Sequence, residues 1–216
     1  SEYINVSKNL SALIPDNVDD TTASFTVLGS IALQGIRLIN PGLGETVVVY
    51  GLGLIGLLAC QILEANGCDV IATDIDPVKC ELAKKSGISV IQINDIDSLI
   101  SEVKHKTSNF GADAILITAK NSDNQIIHAS AQMCKKRGKI TLIGDVGLNL
   151  DRNDFYEKEI SFQVSSSYGP GRYDPVYEQK NIDYPFAYVR WTAQRNFESI
   201  LKLMSLGKIK VENLIS

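Results

Sequence analysis

Short apolar runs alternate with amphipathic segments along most of the chain, and this alternation predicts the fold. Six runs rich in valine, isoleucine and leucine have the length and composition of strands that are buried in a parallel sheet. They lie at residues 47–50, 70–73, 89–93, 114–118, 139–143 and 160–164. Because helical patterns separate them, we expect a three-layer, doubly wound α/β fold whose six parallel strands are joined by right-handed crossovers.

The helices are bounded by residues that favour helix starts and stops. Asp19 and the three residues after it supply capping oxygens, and Asn40-Pro41-Gly42 ends the helix that follows them. Pro77 suits the first turn of another helix, and Gly207 ends the last one. The predicted helices include residues 19–39, 77–86, 96–106, 123–136 and 192–206. At the two ends we expect short extended segments, at residues 3–6 and 10–14 and from Ile209 to Ile215.

The first predicted strand runs directly into a glycine-rich turn, G-x-G-x-x-G, formed by Gly51, Gly53 and Gly56. Gly51 would allow a tight turn, Gly53 would let a pyrophosphate approach the backbone, and Gly56 would let the next helix pack closely on the strand. The N-terminus of that helix offers N–H groups to phosphate oxygens. The pattern indicates a Rossmann-type dinucleotide site, and a ligand-free tight turn is the alternative.

An acidic residue at the end of the second strand strengthens this interpretation. Asp74 follows Gly56 at the spacing expected of a carboxylate that binds the ribose hydroxyls of NAD(H), and it would repel the 2′-phosphate of NADP(H). Ile75 is suited to packing on adenine. The ends of the fourth and fifth strands should lie at the same edge of the sheet. The candidate cofactor-binding residues are Gly51, Leu52, Gly53, Leu54, Ile55, Gly56, Asp74, Ile75, Thr118, Ala119, Gly144 and Asp145, and the resemblance described below adds Lys79.

Composition narrows the class of protein. The chain has 216 residues and a formal charge of −4, without a basic, aromatic-rich stretch that would indicate nucleic-acid binding. The uncharged run at residues 46–63 is interrupted by three glycines where a strand gives way to a helix, so we do not expect a membrane span. The four cysteines lack metal-ligand spacing, which favours reduced, buried thiols in a cytoplasmic protein.

Several further segments, in order, carry a family resemblance. They read LIPDNV at 13–18, NPGLGET at 40–46, TDIDP at 73–77, ELAKKSG at 81–87, GAD at 111–113 and RGKITLIG at 137–144. With the glycine motif, they make nearly the whole chain resemble the cofactor domain of the medium-chain dehydrogenase/reductase superfamily, the zinc-type alcohol dehydrogenases and their relatives. The segment SYGPGRYDPVYE at 167–178 is similar to a subgroup of bi-domain oxidoreductases.

The resemblance implies how the chain is organised. Residues 1–18 would be the last strands of a catalytic domain, residues 19–208 the NAD-binding domain, and residues 209–216 a return to the catalytic domain. Because that domain carries the zinc ligands and most of the substrate pocket, no metal is carried over to this chain. The resemblance implies an NAD-dependent dehydrogenase or reductase acting on an alcohol or carbonyl substrate within a longer protein, with this segment alone inactive. The strand at 160–164 would pair across a homodimer.

The resemblance assigns other residues less directly. Lys79 would lie near the adenosine ribose, or would be an exposed helix lysine, and Asp145 would cap a local turn if it does not bind the cofactor. The segment 165–168 would lie near the nicotinamide. Tyr168 or Arg172 would serve as an acid or a substrate anchor, unless the tyrosine-rich loop at 168–188 packs or binds a partner. His128 is expected to be structural.

Two other functions are compatible with parts of the pattern. The chain could be a non-catalytic nucleotide-binding or dimerisation module, with the tyrosine-rich segment as its interface. Methyl transfer from S-adenosylmethionine also uses glycine-rich loops, although it does not account for the later family-like segments.

Overall fold

A computed structural model describes residues 3–214, and six of the strands in this range form one parallel sheet. The strands are β1 Thr46–Tyr50, β2 Asp69–Asp74, β3 Ser89–Gln92, β4 Ala112–Ile117, β5 Lys120–Asn121, β6 Cys134–Leu142, β7 Asp145–Val146 and β8 Ser161–Val164. The sheet has the order β3-β2-β1-β4-β6-β8, and every neighbouring pair is parallel. The predicted doubly wound Rossmann fold is therefore confirmed.

Helices connect the strands and flank the sheet. They are α1 Asp20–Ala23, α2 Thr26–Ile39, α3 Leu54–Ala65, α4 Pro77–Lys85, α5 Ile96–Lys106, α6 Gln125–Met133, α7 Arg152–Tyr156, α8 Pro175–Glu178 and α9 Ala193–Ser205. Two short 3-10 helices occur at Lys8–Leu10 and Glu212–Leu214. Along residues 3–214, none of the helices combines the length and hydropathy needed to cross a membrane.

The central strands β1 and β4 are buried on both faces, to which their side chains point alternately. Val48 and Ile115 pack in one apolar cluster with Leu99 of α5 and Met133 of α6. The intervening side chain of Val49 is fully buried outside that cluster, on the face covered by α3, which packs on β1 and β2. This arrangement explains why the central strands β1 and β4 are mostly apolar rather than apolar at every second position.

The chain divides into two compact units. One unit, Gly35–Ser165, contains the whole sheet and the helices α3 to α7. The other unit comprises the residues before Gly35 together with those after Ser165. In this second unit the ring of Tyr177 is fully buried and stacks on Tyr184 with 5.5 Å between ring centroids. The backbone carbonyl of Tyr177 also accepts a hydrogen bond from Asn9 Nδ2 at 3.0 Å.

Two predicted helices differ from the structure. The helix expected over 19–39 is broken between α1 and α2, where the Ser24 and Thr26 hydroxyls bond to the carbonyls of Thr21 and Ala23 and compete with the helical pattern. The helix expected over 123–136 ends at Met133.

The residues after Met133 enter β6 instead, and Lys158 explains the change. Its Nζ donates to the carbonyls of Ala131, Gln132 and Cys134 at 2.8–3.0 Å, and so stabilises the end of α6. Lys158 lies far along the chain from α6, which is why the local pattern did not reveal the boundary.

The ends of the chain also differ from the prediction. Residues 3–18 contain no strand, and the 3-10 helix Lys8–Leu10 includes part of one predicted extended segment. From Ile209 to Leu214 the structure again has no strand, since Glu212–Leu214 form a 3-10 helix. The parts of these predictions that fall on residues 1, 2, 215 and 216 lie outside the described residues. The domain boundaries at 18 and 208 stay predictions.

Candidate cofactor site

The glycine-rich turn lies at the switch point of the sheet, where the strand order reverses between β1 and β4. Gly51 has a φ of +106°, and a Cβ there would lie 2.6 Å from the Ala119 nitrogen. A Cβ on Gly56 would overlap the carbonyl oxygen of Gly51. Gly53 differs from both, because a Cβ there would meet no atom of the described chain within 4 Å. The turn itself therefore requires Gly51 and Gly56, whereas Gly53 borders open space.

The end of β4 is tied to this turn by hydrogen bonds. The Thr118 hydroxyl donates to the carbonyl of Gly51 at 2.6 Å. The backbone nitrogens of Thr118 and Ala119 both donate to the carbonyl of Tyr50, at 2.9 and 3.0 Å. These contacts fix the spacing between the carboxyl ends of β1 and β4, where ligands bind in open α/β sheets.

Asp74, the last residue of β2, is a buried carboxylate that turns towards the glycine turn. The residue is only 7% exposed, and both of its carboxylate oxygens accept hydrogen bonds from the backbone. Oδ2 accepts from the Leu52 backbone nitrogen at 2.6 Å, and Oδ1 accepts from the Asp76 nitrogen at 2.9 Å. Each oxygen keeps a second lone pair for an external donor. Asp74 is thus oriented by the backbone in a position to bind hydroxyl groups.

A cavity of about 390 Å³ opens in front of these residues, entirely within the Gly35–Ser165 unit. It is lined by Tyr50, Gly51, Gly53, Asp74, Ile75, Lys79, Ile93, Ile96, Thr118, Ala119, Lys120, Asn121, Asp123, Gln125 and Ile126. Seven of the residues singled out from the sequence are in this lining: Gly51, Gly53, Asp74, Ile75, Lys79, Thr118 and Ala119. Lys79 also contacts the Asp76 carboxylate at 3.8 Å, and both side chains are substantially exposed.

The other six candidates lie around this cavity without lining it. Leu52 is fully buried and contributes its backbone nitrogen to Asp74. Leu54 and Ile55 begin α3, and Gly56 packs on Gly51. Gly144 fits closely against the carbonyl of Ala119, and Asp145 is exposed in β7, paired with Lys120 of β5. The small β5–β7 sheet was not predicted, because two-residue strands leave no periodicity to detect.

Sequence reasoning missed one wall of the cavity. This wall is formed by Lys120, Asn121, Asp123 and Gln125. All four follow the carboxyl end of β4, and ligands bind at that end of the strands in open α/β sheets, so their position in the sequence could have indicated their role. Tyr50 was assigned only to the strand core. Its residue is 5% exposed, and burial, followed by the negative charges of Asp123 and Asp74, raises the pKa of its hydroxyl to about 12. Tyr50 therefore remains protonated at neutral pH.

The family follows from a comparison with known protein families. Residues 55–180, more than half of the chain, match the family model described as zinc-binding dehydrogenase. The chain belongs to the zinc-binding dehydrogenase family. This membership confirms the resemblance drawn from the ordered motifs.

Two curated relatives and one solved structure extend the comparison. Sorbitol dehydrogenase of Halalkalibacterium halodurans is 31% identical over 176 residues, which are 76% of this chain and 48% of that protein. D-guloside 3-dehydrogenase of Escherichia coli is 29% identical over 193 residues, 85% of this chain and 50% of that protein. The structure of galactitol-1-phosphate dehydrogenase from Escherichia coli superposes with a TM-score of 0.76 at 21% identity, covering all of this chain and 58% of that one. The chain therefore spans about half the length of these curated relatives.

The family name mentions zinc, but the described residues do not provide a site for it. Between residues 3 and 214, no group of three or more His, Cys, Asp or Glu side chains is placed to hold a metal ion. Cys60, Cys68, Cys80 and Cys134 are all buried and unpaired, and burial raises the pKa of each thiol.

The remaining candidates contact other residues of the chain. His128 is half exposed, and its Nδ1 lies 2.8 Å from Asp154 Oδ1. In the other unit, the Tyr168 ring packs on Phe197 with 5.1 Å between centroids, and burial raises the Tyr168 pKa. Arg172 donates to Glu178 Oε1 at 2.6 Å. Ser165, where the sheet unit ends, donates its backbone nitrogen to the carbonyl of Leu142 at 2.8 Å.

Proposed function

We propose that the cavity at the carboxyl edge of the sheet binds NAD(H) and that the chain is the cofactor-binding part of a dehydrogenase or reductase. The observation that carries this proposal is Asp74, a buried carboxylate held by two backbone N–H groups beside the glycine turn. Its free lone pairs suit the two hydroxyls of an adenosine ribose.

The structure around Gly53 fits the pyrophosphate of the same cofactor. Gly53 is the N-cap of α3, and the space beside its Cα is open. The first backbone N–H groups of a helix are not used within the helix, and together with the helix dipole they favour an anion. Six further candidates would then shape or border the cofactor site without lining the cavity: Leu52, Leu54, Ile55, Gly56, Gly144 and Asp145.

A bound nicotinamide supplies hydride chemistry, and the chain supplies binding and orientation. Asp74 would hold the ribose, Ile75 would pack on the base, and the α3 N-terminus would hold the pyrophosphate. Solved structures with the same fold include one described as complexed with NADH and one described as bound to NADP, so this fold accommodates either cofactor. Asp74 is the reason to propose NAD(H) for this chain.

We also propose that the substrate is an alcohol or its carbonyl product and that it is held mainly by a part of the protein beyond this sequence. Relatives named for sorbitol, guloside and butanediol oxidation support this substrate class. Their greater length supports a separate substrate-binding part, which residues 1–18 and 209–216 would join. The buried, unpaired thiols support a reducing compartment such as the cytoplasm.

The proposed homodimer rests on the edge of the sheet. Strand β8 pairs with β6 on one side, and no strand of the described residues pairs with its other side. Ser161, Gln163 and Val164 are exposed there. An unpaired edge of this kind is suited to pairing with the same strand of a second copy.

The choice of cofactor can be tested through Asp74. We expect calorimetry to show that the chain binds NADH about 10- to 100-fold more tightly than NADPH, as expected when a charged hydrogen-bonding carboxylate favours hydroxyls over a phosphate. Asp74→Asn should narrow this ratio. Asp69→Asn, which changes an exposed carboxylate at the opposite end of β2, should leave it unchanged. Equal affinity of the unmodified chain for both dinucleotides would exclude the proposed role of Asp74.

A further inference from the structure

One hydroxyl in the cavity has no hydrogen-bond partner among residues 3–214. Tyr50 ends β1, lines the cavity and is almost fully buried. Within residues 3–214 its hydroxyl makes no hydrogen bond. A buried hydroxyl without a partner is costly, whereas one that borders a cavity is available to a ligand.

The cavity that Tyr50 lines also has apolar walls, which suit a flat aromatic ring. Ile75, Ile93, Ile96 and Ile126 line the same cavity with apolar side chains. Ile75 and Ile93 directly follow β2 and β3, and Ile96 and Ile126 lie on α5 and α6, so the apolar walls come from several elements. A purine buries both faces against such walls and exposes only its polar edge to the remaining groups.

The polar groups beside Tyr50 include a carboxylate with a free oxygen. Asp123 lines the cavity, and its charge acts on the Tyr50 hydroxyl. Its Oδ1 accepts from the Gln125 backbone nitrogen at 2.9 Å, while Oδ2 makes no hydrogen bond in the described chain. The hydroxyl of Tyr50 stays protonated and can donate, and the carboxylate of Asp123 can only accept.

We propose that Tyr50 and Asp123 read the polar edge of adenine and so make the site selective for adenine over hypoxanthine. This inference rests on the proposed function, because it assigns the base end of the same dinucleotide. Adenine presents a ring-nitrogen acceptor next to an amino donor. The Tyr50 hydroxyl donates to the ring nitrogen, and Asp123 Oδ2 accepts from the amino group.

Hypoxanthine reverses this pattern, because it presents a carbonyl oxygen in place of the amino group and a protonated ring nitrogen beside it. The Asp123 carboxylate would then face an oxygen, with neither group able to donate. A site whose polar groups are left unpaired by an analogue binds that analogue less tightly. The pair therefore discriminates two cofactors that differ in one exocyclic group.

The test compares NADH with nicotinamide hypoxanthine dinucleotide, both measured by calorimetry on the full 216-residue chain. We expect the unmodified chain to bind NADH roughly 30-fold more tightly. Tyr50→Phe should weaken NADH binding about fivefold, since one neutral hydrogen bond is lost. Thermal melting should show that Tyr50→Phe folds normally, because the removed hydroxyl has no hydrogen-bond partner in the described part of the chain.

Asp123→Asn gives a sharper result. The amide oxygen can keep the bond to Gln125, and the amide nitrogen then replaces Oδ2 and donates to the carbonyl of hypoxanthine. The preference for adenine should fall at least about fivefold, through weaker NADH binding and tighter binding of the analogue. Glu102→Gln, an exposed carboxylate change on α5, and Tyr156→Phe, an exposed tyrosine change, should leave both affinities unchanged.

The outcomes separate this inference from the proposed function. Equal binding of the two dinucleotides, or a preference that neither Tyr50→Phe nor Asp123→Asn alters, would overturn the reading of the adenine edge and leave NAD(H) binding intact. If neither dinucleotide binds, both the inference and the proposed function are overturned.

Discussion

The three glycines of the turn have different physical roles. Gly51 and Gly56 are required by close contacts within the protein, whereas Gly53 borders open space. Gly53 also has a φ of −66° and a ψ of −179°, which any residue can adopt. The role of Gly53 therefore lies in what it leaves accessible to a ligand.

Gly53→Ala should weaken NADH binding at least about tenfold, because the added methyl occupies the path of the pyrophosphate. The melting temperature should stay the same or rise slightly, since alanine restricts the unfolded chain. Calorimetry and thermal melting measure the two effects separately.

Gly42→Ala is the matched control for this change. Its Cβ would meet only the Glu45 side chain at 3.8 Å, an ordinary contact, and its φ does not favour glycine. The affinity should remain unchanged, and the melting temperature should stay the same or rise slightly, as for Gly53→Ala. Tight NADH binding by Gly53→Ala would contradict the placement of the pyrophosphate.

Some site residues could be recognised from the sequence, and others could not. Asp74 was predicted because its spacing from the glycine turn is set by the length of one helix and one strand. Tyr50 and Asp123 were not predicted to belong to the site. A tyrosine at a strand end is typical of the core, and an aspartate shortly after a strand is typical of a turn. Only the folded sheet brings them to the same cavity.

At the scale of elements, the strands were predictable and several helix ends were not. Apolar runs identify β1, β2 and β4 because both faces of each are covered. The end of α6 depends on Lys158, and the break after α1 depends on local hydroxyl bonds. Distant or side-chain contacts of this kind compete with periodicity, so the pattern alone places helix boundaries poorly.

The edge strand β8 allows a test of the proposed dimer. The Ser165 nitrogen bonds inward to Leu142 in β6, and N–H groups alternate along a strand, so the Val164 N–H points to the free edge. Val164→Pro should convert a dimer to a monomer by removing an outward donor, as measured by light scattering.

Val164→Thr keeps the N–H and the branched side chain and should leave the dimer intact. If light scattering shows that the unmodified chain is a monomer, the proposed dimer is wrong. A Val164→Pro variant that stays dimeric would place the interface elsewhere.

At the scale of the whole molecule, all four cysteines fall in the sheet unit and report on its unfolding. Burial raises the pKa of Cys134 from 9.0 to about 12, which reduces its thiolate roughly a thousandfold at pH 8. Burial raises the pKa of Cys60 as well. Alkylation of the native chain at pH 8 should therefore be slow at both thiols and fast once urea unfolds the unit.

The same thiols predict how stability depends on pH. Because their pKa is higher in the folded chain than in the unfolded one, their contribution to the free energy of unfolding is fully present below pH 9. It is lost as the pH rises towards 12. Urea titrations at pH 7 to 11 should show this decline in the free energy of unfolding, with a smaller dependence on pH for Cys134→Ala.

In the alkylation experiment at pH 8, rapid reaction under native conditions would contradict the burial of these thiols.

The central claim, that a dinucleotide binds at the carboxyl edge of the sheet, is tested most directly by an NMR titration of the chain with NADH. The account predicts saturable shifts of the backbone amides at the glycine turn, at the end of β2 and at the end of β4. These are Gly51, Leu52, Gly53, Asp74, Ile75, Thr118 and Ala119. Absence of shifts at millimolar NADH, or shifts confined to other parts of the chain, would contradict it.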